Sequence, residues 1–257
     1  MKMMKGRDYG MNVEGRIVDP RQWMISEKFD GWRARWTGTK MTTGVTDLAW
    51  PHADSMPDFP VDGELWIARG QFEKLAKMRS NEPDFEGVVF VAFDAPNMEG
   101  TFAERYAVLK QYENSWMQVA NQTSLSDLME PGESINDAVH RLVSDVVNEN
   151  GEGLMAHHRD SQYLDGRTDR LLKLKPTFDE EVTVIEHVPG SGRHEGRMGA
   201  LKVRDNTGRV YNVGTGFTDA ERDEPPAVGV LITVAYKGRT TYGNPRHPAY
   251  VRVRDAA

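Results

Sequence analysis

The sequence predicts an α+β chain in which a larger mixed part is followed by a small all-β barrel. Three observations carry this. The 257 residues exceed a common single domain but are few for three. Up to about Pro176, short strand-like runs alternate with stretches of helical periodicity. Beyond it helix signals nearly vanish, and five strand-like runs stand between Gly, Asn and Pro punctuation.

In chain order, "SEKFDGWRARW" (26–36) reads as a strand, a turn at Asp30 and Gly31, and a second strand, a hairpin by its turn residues. "PVDGELWIARG" and "GVVFVAFDAP" read as further strands, with a helical piece, "GQFEKLAKMRS", between them. Residues 101–115 repeat apolar positions at helical spacing. A clearer helix has Ser134 as N-cap, one stripe of Ile135, Ala138, Val139, Leu142, Val143 and Val146, and Gly151 as its stop. "EGLMAHH" and "DRLLKLKP" alternate as strands until Pro176. The five closing runs are "EVTVIEHV", "GALKVRD", "RVYNVGTG", "GVLITVAYKG" and "AYVRVRD". These runs divide the chain at 177/178, into residues 1–177 and 178–257.

No apolar run approaches the roughly 18 residues of a membrane span. The start, "MKMMKGRDYG", lacks the apolar stretch of a secretory signal, which sets a cytosolic expectation. With no cysteine, disulfides, cysteine–zinc sites and thiol catalysis are excluded. A net charge of −7 argues against nucleic-acid binding by bulk positive charge. Eleven basic and eleven acidic residues follow Lys175, however, so the acidic excess lies before it and a local basic groove can exist.

Lys28 stands among apolar and aromatic residues just before a turn, with Arg33 behind it. Lys173 and Lys175 alternate on one face of a later strand. Amines clustered in this way repel one another, which lowers their pKa values and makes a nucleophile available near neutral pH; the cluster also suits a triphosphate. Glu64 and Glu152 are then candidate oxygen ligands for a divalent metal. His157 and His158 fall on opposite faces of a strand and do not make a two-ligand metal site.

"EKFDGWR" resembles the KxDGxR signature of covalent nucleotidyltransferases, and "DGELW", "FVAFDAP", "EGLMAHH" and "LLKLKP" follow in the family's order. "DPRQWMISEKFDGWRA", "PGSGRHEGRMGALKV", "GTGFTDAERDEPPAVG" and "YKGRTTYGNPRHPAYVRVR" extend the resemblance, over nearly the whole chain, to the small ATP-dependent DNA ligases of bacteria and phages, including the minimal periplasmic E-type. The resemblance implies an adenylation domain of antiparallel sheets with flanking helices, followed by an OB-fold. It implies that Lys28 attacks the α-phosphate of ATP, that Arg33 and Glu64 contact the ribose, and that Phe93 stacks on adenine. Glu64 and Glu152 would hold Mg2+, Lys173 and Lys175 the phosphates, and Arg167 would join the nucleotide site. The implied partner is nicked double-stranded DNA, joined by a monomer. Arg193 and Arg197 in "GSGRHEGR", and the final Arg246, Arg252 and Arg254 alternating on a strand, are the expected DNA or phosphate contacts.

The family's Ser-Arg-x-Gly segment is replaced by Thr42, Thr43 and Gly44, so its arginine is missing; either another cation such as Lys40 substitutes, or 5′-phosphate recognition and the adenylation step are weakened. The expected setting is the cytoplasm of a bacterium or phage-infected cell, or the periplasm if a signal peptide has been removed. Two other readings stand beside DNA ligation: an RNA ligase or RNA-capping guanylyltransferase, and a non-catalytic nucleic-acid binder with a decayed site.

Overall fold

The computed structural model describes residues 2–10, 12–77, 85–240 and 243–254. The chain divides into two compact units, Met1–Lys175 and Pro176–Ala257.

The strands of the first unit are β1 (Lys5–Gly10), β2 (Trp23–Glu27), β3 (Trp32–Trp36), β4 (Met41–Thr42), β5 (Asp47–Leu48), β6 (Val61–Trp66), β7 (Val89–Asp94), β8 (Met117–Val119), β9 (Thr123–Ser124), β10 (Leu154–His158) and β11 (Arg167–Leu174). Its helices are α1 (Phe72–Lys77), α2 (Phe102–Leu109), α3 (Leu125–Leu128) and α4 (Ile135–Asn148). They form two sheets, ordered β1-β11-β10-β2-β9 and β5-β4-β3-β6-β7-β8. Most neighbours are antiparallel, as expected, but β1 runs parallel to β11 and β7 to β8. Parallel neighbours need long crossovers, which local sequence pattern does not register.

The expected hairpin at 26–36 is not formed. β2 pairs with β10 and β9 in one sheet, whereas β3 pairs with β4 and β6 in the other. Residues 28–31 are therefore a crossing between sheets, and turn residues alone could not say whether the chain folds back or passes on. The crossing is held at both ends. The Lys28 N–H donates to the Gly153 carbonyl at 2.9 Å. On the other side Phe29 meets Trp66 edge-to-face, and a Cβ on Gly31 would run into Glu64 and the Leu65 carbonyl. Only glycine fits there.

α4 lays Val139 and Val143 on Ile25, Leu154, Leu172 and Leu174 of the first sheet. Ser134 caps it, its hydroxyl accepting the Asp137 N–H. The helix stops at Asn148, and Asn150, at φ 64°, rather than Gly151, takes the left-handed position. α2 begins with a capping box between Thr101 and Glu104. It sends Arg105, 1% exposed, bidentate onto buried Asp94 of β7. The helix expected at 70–80 is seen as Phe72–Lys77, and residues 78–80 lie outside the described residues.

The second unit contains β12 (Phe178–Pro189), β13 (Met198–Arg204), β14 (Val210–Val213), α5 (Asp219–Asp223), β15 (Leu231–Tyr236) and β16 (Ala249–Val253). All five expected strands are present, as one antiparallel sheet ordered β14-β13-β12-β15-β16 over a core that includes Val184, Leu201, Ile232 and Val234. The expected barrel is not closed by a ladder: among the described residues its edges meet at the single bridge Thr215–Ala249. No helix among the described residues is long and apolar enough to cross a membrane.

Candidate active site

The crossing segment brings Lys28 to a cavity of about 420 Å³ in the first unit, whose lining includes Lys28, Arg33, Glu64, Phe93, Arg167 and Lys173. The size suits one small ligand. Lys28 Nζ donates to Glu152 Oε2 at 2.5 Å, and the Lys175 amine pairs with the other oxygen of the same carboxylate. Glu152 thus joins two of the three predicted lysines. Lys173 stands opposite Met155 in the β10–β11 ladder. Its pKa is lowered by burial and then by the charges of Lys28 and Lys175, as expected of clustered amines.

The second sheet supplies the facing wall. Arg33 and Glu64 lie directly opposite on β3 and β6. The Arg33 guanidinium sits 4.5 Å from the centroid of the Phe93 ring and donates to Asp62 Oδ2 at 2.9 Å. Asp62 is fully buried and also accepts from Arg35 Nε at 2.5 Å and from the Tyr163 hydroxyl at 2.6 Å. That hydroxyl in turn accepts from Arg35 and from the Met4 N–H, both at 2.7 Å. Asp62, Arg35 and Tyr163 escaped the sequence reading. Asp62 lies inside the quoted "DGELW", so proximity to Glu64 was a usable signal; Tyr163, 101 residues away in a loop, offered none.

Burial pushes the Glu64 carboxyl up from 4.5 to about 7, against the opposing pull of Arg33 and Lys28. The folded chain therefore keeps a proton that the unfolded chain releases near pH 4.5. This contribution to stability is full below the lower value and lost as pH rises through the upper one. Glu64→Gln is expected to flatten the fall in stability between about pH 5 and 8 by on the order of 2 kcal/mol. Urea midpoints across that range provide the check, and a variant whose pH dependence overlays that of the parent removes Glu64 as the cause.

The remaining candidates are dispersed. Lys40, exposed just before β4, is tied to Asp47 at 2.5 Å and does not line the cavity. His157, which also lines the cavity, stacks on Phe102 at 3.6 Å, and His158 meets Trp23 edge-to-face; both are buried. Arg193 donates to the His194 ring at 2.9 Å, and Arg197 pairs with Asp219 and Asp223 of α5. Of the three final arginines only Arg252 lies within β16. Arg246 precedes it and Arg254 follows, pairing with Glu181 at 2.5 Å, so the three do not alternate along one strand.

The family described as DNA ligase OB-like domain matches residues 189–254. A DNA ligase of Haemophilus influenzae is 34% identical over 239 residues, covering 90% of this chain and 86% of its own. A structure from a structure–function study of Lig E DNA ligases superposes with a TM-score of 0.82 at 34% identity over 99% of both chains. The Chlorella virus DNA ligase-adenylate, at 20% identity and a TM-score of 0.55 over 100% of this chain and 99% of its own, shares the fold.

Proposed function

Since the chain belongs to the DNA ligases, we propose that it seals 5′-phosphate/3′-hydroxyl nicks in duplex DNA with ATP as the AMP donor, and that Lys28 carries the AMP. On this reading the first unit is the adenylation domain and the second the OB-fold. The observation that carries it is the convergence of Lys28, Arg33, Glu64, Phe93 and Lys173 on one cavity, with Glu152 and Lys175 attached through Lys28. All come from one unit of one chain, which supports action as a monomer.

In the first step the Lys28 amine, held by its contact with Glu152, gives up its proton to solvent and attacks the α-phosphorus of ATP. A P–N bond forms, the bond to the bridging oxygen breaks, and pyrophosphate leaves. Next a 5′-phosphate oxygen of the nick attacks the same phosphorus, breaking the P–N bond and freeing Lys28. Finally the 3′-hydroxyl oxygen attacks the 5′-phosphate and AMP departs. Each step is a displacement at phosphorus, in which positioning and charge neutralisation supply most of the catalysis. Lys173 and Lys175 offset the charge that builds up on the phosphate oxygens, Phe93 stacks on the adenine, and Arg33, Arg167 and Glu64 hold the sugar and phosphates.

Among the described residues no three His, Cys, Asp or Glu side chains gather to cage a metal. Two carboxylates, Glu64 and Glu152, do suit Mg2+, which is commonly held by one or two carboxylates together with substrate phosphates. When bound there it would neutralise phosphate charge.

The test is the intact mass of the protein with ATP and Mg2+, followed by nicked duplex. We expect a gain of about 329 Da, the mass of a phosphoramide-linked AMP, that disappears as sealed DNA forms. No adduct, or an adduct indifferent to nicked DNA, overturns the reading.

A further inference from the structure

Two further glutamates flank the Lys28–Glu152 pair in sequence: Glu27 beside Lys28, and Glu149 three positions before Glu152. Yet Lys28 pairs with Glu152. The other two carboxylates are occupied by a residue from the opposite sheet. Arg69, in the loop after β6, donates through Nε and Nη2 to the two oxygens of Glu27 at 2.8 and 2.9 Å. Its Nη1 donates to Glu149 Oε2 at 2.5 Å. The packing is tight, since a Cβ on Gly151 would come 3.3 Å from Glu27 Oε1. A forked guanidinium can serve two carboxylates at once, which an ammonium cannot do with comparable geometry.

We propose that Arg69 is a positioning residue for lysine adenylylation: by sequestering Glu27 and Glu149 it leaves Glu152 as the carboxylate that takes the Lys28 amine. The inference rests on the functional reading above. Without Arg69, two freed carboxylates compete with Glu152 for a single ammonium, and the amine spends its time away from the attacking position. A shift of about 1 Å in a reacting group can cost roughly 100-fold in rate.

The experiment is single-turnover AMP transfer to the protein, followed by intact mass. Arg69→Ala is expected to slow transfer by about 10- to 100-fold with KM for ATP little changed. Removing a competitor should then restore rate, so Arg69→Ala with Glu27→Gln is expected to be at least about threefold faster than Arg69→Ala alone, a coupling between residues in contact. A residue that merely staples the two loops predicts no such rescue. Arg69→Gln, which keeps a donor for Glu27 but no charge, carries the same expectation if the alanine variant is poorly folded. Transfer at the parent rate in the single variants, or a double variant no faster than the single, overturns the proposal. Absence of transfer in the unaltered protein overturns the functional reading itself, and this inference with it.

Discussion

Lys28→Ala folds normally and gains no AMP: its mass is unchanged by ATP and Mg2+, and nick sealing from ATP falls by at least about 10⁴-fold, the scale on which loss of a covalent nucleophile acts. Folding is spared because the Lys28 side chain is held through its pairing with Glu152, and its main-chain N–H still reaches Gly153. Glu152 keeps Lys175 as a partner, so no carboxylate is left uncompensated. The assignment also predicts which activity survives. A nick that already carries AMP on its 5′-phosphate needs no lysine nucleophile, and Lys28→Ala should still seal it. Normal labelling of the alanine variant would move the nucleophile elsewhere, with Lys173 the next amine to test.

Asp62→Ala has the largest expected effect on stability. Asp62 is fully buried and is the shared acceptor for Arg33, Arg35 and Tyr163. Removing it takes the shared buried acceptor from both guanidinium groups, leaving Arg35 to the Tyr163 hydroxyl and Arg33 to the Met4 carbonyl, and breaking a buried pair from one side costs about 3–5 kcal/mol. For a chain of this size that corresponds to a fall of roughly 10 °C or more in the melting temperature. Calorimetry gives the number directly, and a fall of only a degree or two would mean that water or rearranged side chains satisfy the arginines. AMP transfer should suffer as well, since Arg33 would lose the contact that fixes it over Phe93.

The sequence revealed what local pattern encodes. α4 was legible because its apolar stripe and Ser134 cap are local, and β2, β3, β6, β7, β10, β11 and the five strands of the second unit were legible from alternation, whereas β1 and the two- and three-residue strands β4, β5, β8 and β9 were not. The lysines and glutamates that the structure gathers at the cavity were picked out by five motifs in a family's order, where each residue type alone would have been a surface residue. Partnership was not legible. The chain after Lys28 was expected to fold back and instead passes to another sheet, since Asp30 and Gly31 permit either course. Nor could local pattern reveal that Tyr163 reaches Asp62 or that Arg69 reaches Glu27 and Glu149, across 101, 42 and 80 residues. The expected row of terminal arginines failed for a related reason: alternation was read across Pro248, where the strand has not begun.

The parallel pairing of β1 with β11 bears on how the protein is made. Residues 5–10 are synthesised early, but their partner strand is residues 167–174. At ordinary rates of synthesis the early strand waits roughly ten to thirty seconds for that partner to emerge. Until then Met4 has no Tyr163 to bond, and the cavity lacks the wall formed by Met4, Lys5 and Gly6. A nascent chain is thus unable to charge itself with nucleotide until nearly the whole first unit has left the ribosome. Pairing across so long a separation is also slow, which makes this the stage at which a chaperone would have most to hold.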